Sequence, residues 1–132
     1  MDLSARRLAL AWEGRLLGDP RYEILLDTLG GGQKLVATIS TPRNTNNGFF
    51  GPSLVNGHLM FGGFNFAAPP EDYVARYSIA KGTLESAPID GWLVSHASAG
   101  PRTFTVLGLA SGAFQIEEQS QLSYSPGIPK EL

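Results

Sequence analysis

Apolar and polar residues alternate with a period of two along much of this chain. Leu8, Leu10, Trp12, Gly14 and Leu16 interleave with Arg7, Ala9, Ala11, Glu13 and Arg15. Successive side chains of a strand point to opposite faces, so this run predicts a strand with one dry and one wet face. Tyr22, Ile24 and Leu26 repeat the pattern, as do Leu35, Ala37 and Ile39 beyond Gly30-Gly31-Gly32-Gln33. The two runs predict a hairpin around a glycine-rich loop. The first also admits a helix, capped at Asp19-Pro20, striped by Tyr22, Leu25, Leu26 and Leu29, and ended at Gly30. The alternation favours the strand.

The strongest local signal is Asn56-Gly57, set between Ser53-Leu54-Val55 and His58-Leu59-Met60-Phe61. Asn and Gly tolerate the positive φ that a type I′ hairpin turn needs at both positions. Further strands are predicted at Tyr73 to Ile79, Gly91 to Ala97, Thr103 to Leu109 and Ala113 to Tyr124, with turns at Lys81-Gly82, Ser98 to Arg102 and Ala110-Ser111-Gly112. Short strands punctuated in this way predict an all-β, antiparallel fold, a jelly-roll-like sandwich or a small barrel of about 8–10 strands. A single domain over 1–125 and an irregular tail over 126–132 are expected. The expected core is Leu8, Leu10, Trp12, Ile24, Leu26, Leu35, Ile39, Trp92, Val94, Phe104, Val106, Phe114 and Ile116.

Composition sharpens this picture. With 132 residues, 16 Gly and 9 Pro, the chain is long enough for one real core and rich in turns. It has no Cys, which excludes disulfides, thiolate catalysis and Cys-ligated metals. A net charge of −2 creates no field for nucleic acid or anionic lipid, so neither is an expected partner. The apolar run after Arg6-Arg7 stops at Glu13, short of a signal-peptide core, and no stretch approaches the roughly 20 residues of a membrane helix. A cytoplasmic location, or incorporation into a particle, is the corresponding expectation.

Charge is distributed unevenly. From Asn44 to Pro70 there is no Asp, Glu, Lys or Arg, yet the segment holds five of the seven Phe. Charged residues are 17% overall, against about 25% in a typical domain. Interface cores are depleted in charge and Lys and enriched in Phe, Met and Tyr. The segment therefore suggests an interface with hot spots at Phe49, Phe50, Met60, Phe64 and Phe66. The uncharged Gly/Asn/Phe-rich β pattern resembles small virion accessory proteins, such as capsid cement or tail components, although no motif residue carries a site across. The leading expectation is a non-enzymatic assembly domain whose partner is itself or a larger protein assembly.

Candidate chemistry is sparse. The two His, His58 and His96, lack ligand spacing, and no nucleophile elbow, phosphate loop or dinucleotide fingerprint occurs, so no metal or cofactor is expected. Glu118 shares an alternating face with Phe114, Ile116, Leu122 and Tyr124, and Trp92, Val94 and His96 share another. If both faces lined one barrel, Glu118 and His96 would meet in a partly buried cavity, able to transfer protons. The competing expectation is thus a small β-barrel enzyme or carrier, of isomerase or cyclase type. Its apolar cavity for a hydrophobic small molecule would be lined by Trp12, Trp92, Phe104, Phe114 and Tyr124.

Overall fold

The computed structural model describes residues 2–4, 7–16, 19–28, 31–40, 48–65 and 71–129, with side chains at 23–28, 31–38, 52–63 and 72–129. The described elements are strands joined by turns, with one short 3₁₀ turn, and they form three antiparallel sheets. The first sheet is β1 (Asp2–Ser4), β2 (Arg7–Leu16), β3 (Asp19–Thr28) and β4 (Gly32–Ser40), in that order. The segment from Asp19 is a strand, not a helix: all ten of its residues pair with β2.

The second sheet is central. It runs β12 (Ser125–Pro126), β8 (Thr83–Ile89), β7 (Glu71–Ser78), β6 (His58–Asn65) and β5 (Gly48–Val55). Asn56 and Gly57 close the β5–β6 hairpin at φ 47° and 76°, as their pairing in sequence implies. The third sheet is β9 (Trp92–Ala99), β10 (Arg102–Gly108) and β11 (Phe114–Glu118), with β10 in the middle.

Both faces of the central sheet are covered. On one, Leu59, Phe61, Tyr73, Ala75 and Tyr77 pack with Ile24, Leu26 and Ala37 of the first sheet. On the other, Met60, Val74 and Ala87 cluster with Leu122 and Tyr124. On β6 a Cβ at Gly62 would stand 2.6 Å from Leu93 Cδ2. That close approach identifies Leu93 as the knob by which β9 presses on the sheet. The arrangement is three layers of β-structure with two dry seams. Phe61, Ile24, Leu59, Met60, Leu107 and Val74 are fully buried, and side chains of this size contribute roughly 1.5–3 kcal/mol each when removed from water.

The structure corrects several sequence-based expectations, and β-bulges account for two. In β4, Ile24 faces Ala37 while Leu25 faces Leu35, leaving Val36 as the extra residue. The register shift turns Leu35 outward, to 51% exposure, instead of into the core. In β9, Val106 faces Ser95 while Leu107 faces Leu93, so Val94 is the extra residue. Trp92 and Val94 stand outside at 43% and 48% exposure, and Leu93 is buried in their place. Phe114 and Ile116 are also outside, at 70% and 69%, while Phe104 and Val106 are half-buried. Ile24 and Leu26 are core, as expected. The side chains of Leu8, Leu10, Trp12 and Ile39 lie outside the described residues.

Two further differences concern the end of the chain. The last long strand stops at Glu118, where a 3₁₀ turn over Gln119–Gln121 redirects the backbone and carries Leu122 and Tyr124 inward. Ser125 and Pro126 then pair with Ser86 and Glu85 of β8, Gly127 donates its N–H to the Leu84 carbonyl, and Ile128 packs on the first core cluster. The start of the expected irregular tail is thereby docked on the central sheet.

Candidate interaction face

The third sheet has an inner and an outer face, and their chemistry is inverted relative to a simple buried hairpin. Directly opposed residues of antiparallel strands share a face. His96, Thr105 and Glu117 form one cross-strand row, and Ala97, Phe104 and Glu118 form the next. Thr105 is fully buried, so its row faces inward; Phe104 and Glu118 therefore face outward. His96 and Glu118 thus lie on opposite faces of the sheet. The register does not bring them together as an acid–base pair.

Each has a different environment. The Thr105 hydroxyl sits 3.5 Å from His96 Nδ1, and His96 Nε2 is buried without a hydrogen-bond partner. Burial pushes this imidazole down to about 4, because a charged ring there would lose its water. Glu118 instead accepts two hydrogen bonds from Arg102, at 2.9 Å from Nε and 2.8 Å from Nη2. The Arg102 hydrogen bonds hold its carboxyl below the ordinary carboxylate range.

The outer face is predominantly apolar. Gly108 lies between Trp92 and Phe114, and Val106 between Ser95 and Ile116. A Cβ at Gly108 would stand 2.3 Å from the Trp92 ring, so the missing side chain is what lets the indole lie across the strand. Phe104 follows in the next row, with the Arg102 guanidinium 5.0 Å from its ring centre. Trp92, Val94, Phe104, Val106, Phe114 and Ile116 form one surface with a single bidentate ion pair, Arg102–Glu118, at its end. Among the described residues nothing covers it. A sheet face in water ordinarily carries polar side chains, and a contiguous exposed apolar patch marks a contact site.

The other residues singled out by sequence do not converge on a cavity. Trp92, Phe104 and Phe114 belong to the outer face, whereas Tyr124 packs in the inner cluster with the Arg76 guanidinium 3.7 Å from its ring centre. The Tyr124 hydroxyl is buried without a partner, and burial pushes it up to about 12. The side chain of Trp12 lies outside the described residues. Of the expected hot spots, Met60 is fully buried and its sulfur accepts a hydrogen bond from Gln119 Nε2 at 3.1 Å, so it belongs to the core. Phe49, Phe50 and Phe64 are strand residues whose side chains are outside the described set, and Phe66 lies wholly outside it.

A cleft of about 230 Å³ adjoins the Arg102 end of the sheet, between the β5–β6 turn, Arg76, Pro101 and the 3₁₀ turn. Both arginines on it are paired, Arg102 with Glu118 and Arg76 with Glu85 at 2.8 Å. The cleft therefore offers an anion no uncompensated cation. Among the described residues no group of three or more His, Asp or Glu is placed to hold a metal, and no helix is long and apolar enough to cross a membrane.

The outer face could not be located by periodicity alone. Alternation groups Phe114 with Ile116, but it does not say which side of the sheet is wet. No protein-family model matches the chain, and neither a curated protein nor a solved structure matches it.

Proposed function

We propose that this chain is a non-enzymatic structural domain that works by assembly, docking the outer face of its third sheet against protein. The observation that carries the reading is the exposed row of Trp92, Val94, Phe114 and Ile116 on a sheet whose opposite side already packs on the central layer. Aromatic side chains in a desolvated contact supply most of the binding energy of an interface, and Trp92 and Phe114 are the anchors here. A role in a larger particle, of the cement or tail-component kind, agrees with the low charge and the scarcity of Lys.

Sizing in an extract of the native source tests it. The chain is expected to migrate well above 14.1 kDa, and Phe114→Glu to return it to the monomer position. Phe114 is largely exposed, so the variant's own stability should change by only about 0.5 kcal/mol, as checked by thermal melting. Migration of the parent chain as a monomer in that extract would refute the proposal.

A further inference from the structure

We infer that Asn56-Gly57, at the tip of the β5–β6 hairpin, is a self-modification site, where the Gly57 backbone nitrogen attacks the Asn56 side-chain amide and the turn ages to aspartate or isoaspartate. This chemistry is independent of assembly, and the chain supplies every reacting group except water. The Gly57 N–H gives its proton to solvent and its nitrogen bonds to Cγ of Asn56. The Cγ–Nδ2 bond then breaks, and the nitrogen regains a proton and leaves as ammonia. Water opens the resulting five-membered imide. Cleavage at Cγ leaves aspartate in the normal chain. Cleavage at the main-chain carbonyl leaves isoaspartate, with the backbone routed through the side chain and lengthened by one methylene. No oxidant or reductant takes part.

Three features of the fold bear on the rate. Both residues are exposed, and a Cβ at Gly57 would meet nothing within 4 Å, so the nucleophile is unhindered. His58 Nδ1 lies 3.0 Å from the Asn56 carbonyl oxygen. That oxygen only accepts, so the contact is a hydrogen bond in the tautomer that carries its proton on Nδ1. When the Gly57 N–H ionises, its charge spreads onto the same oxygen, where the imidazole N–H stabilises it. Opposing this, Asn56 Nδ2 donates to Thr103 Oγ1 at 3.0 Å. Ring closure brings Cγ within about 1.5 Å of the Gly57 nitrogen, and Nδ2, the atom that leaves, must let go of Thr103. His58 thus promotes the reaction and Thr103 restrains it. The product cannot rebuild the tie. A carboxylate at 56 has no N–H to donate, and it would stand beside the Arg102 carbonyl oxygen, which is 3.5 Å from Nδ2. Isoaspartate also makes the two-residue turn too long for type I′ geometry. The reaction is a one-way release of the central sheet from the start of β10.

The full-length folded chain, incubated at neutral pH, digested and mapped by mass spectrometry, should accumulate aspartate and isoaspartate at position 56. The chain also contains Asn47-Gly48, so fragment ions must place the change. A hydrogen bond of ordinary net strength converts to about a fivefold change in rate, so Thr103→Val should react about fivefold faster than the parent. His58→Phe keeps a ring without a donor and should react about fivefold slower. Thr103→Ser, which keeps the hydroxyl, should match the parent. In urea, where neither contact survives, the differences should collapse. Thermal melting checks that each variant is folded during incubation. No product at 56 in the folded parent, while the urea-unfolded chain reacts, overturns self-modification in the fold. A Thr103→Val rate at or below the parent's overturns the restraint by Thr103, and a His58→Phe rate at or above it overturns the promotion by His58.

Discussion

Asn56 does two jobs that different substitutions can separate. It adopts φ 47° at the hairpin turn, and its Nδ2 donates to Thr103 Oγ1 at 3.0 Å, tying the tip of the central sheet to the start of β10. Glycine accepts the backbone conformation but cannot make the bond, whereas alanine loses both. Asn56→Gly should cost about 1 kcal/mol, the net worth of one such hydrogen bond. Asn56→Ala should cost about 2 kcal/mol, since left-handed backbone at a residue with a Cβ adds roughly 1–2 kcal/mol. Urea unfolding midpoints read the difference. Equal losses in the two variants would mean that the turn conformation contributes nothing.

Elements here are set as much by interruptions of the β-pattern as by the pattern. The extra residue at Val94 brings Leu93 inward over Gly62, and the seam between the third and central sheets closes on that contact. Gly62→Ala would drive a methyl group into Leu93, and overpacking of this kind costs typically 1–3 kcal/mol. Thermal denaturation of Gly62→Ala alone and with Leu93→Ala checks this. The double variant should recover part of the loss that the two single changes would sum to, and strict additivity would show that they do not meet. The same interruptions bounded what sequence could show. Period two revealed β2, β3, β7 and β10, and Asn56-Gly57 fixed the β5–β6 hairpin. A bulge leaves no mark in composition, so alternation alone puts Leu35 and Trp92 on the wrong face. β8 carries little strand signal in the sequence because Ser86 and Pro88 interrupt it, although Ser86 is buried and Pro88 is exposed.

At the scale of the whole molecule, burial of His96 between the third and central sheets makes stability depend on pH. Its folded value, about 4, lies below the ordinary 6.5, so the unfolded chain binds the proton more readily. The full contribution is present above about pH 6.5 and is lost as pH falls toward 4, amounting to up to about 3 kcal/mol. Glu118, held below its usual 4.5 by Arg102, adds a loss that sets in as pH falls through about 4.5. Chemical denaturation at pH 7, 5.5 and 4 should show stability falling across this window, and His96→Leu should flatten that fall. A parent chain equally stable at pH 7 and pH 4 would contradict the burial of a neutral ring. The three layers also divide the chain by its tolerance of replacement. In β6 and β7, Leu59, Met60, Phe61, Tyr73, Val74 and Ala75 are buried without regard to parity, because both sides of the central sheet are dry. In a saturation scan for folded protein, these two strands should form solid blocks of intolerance, while β3 should flicker between strict and permissive at alternate positions. A homologue would then diverge fastest at every second residue of β3 and hardly at all along the middle, so the order of these layers could be recovered from variation alone.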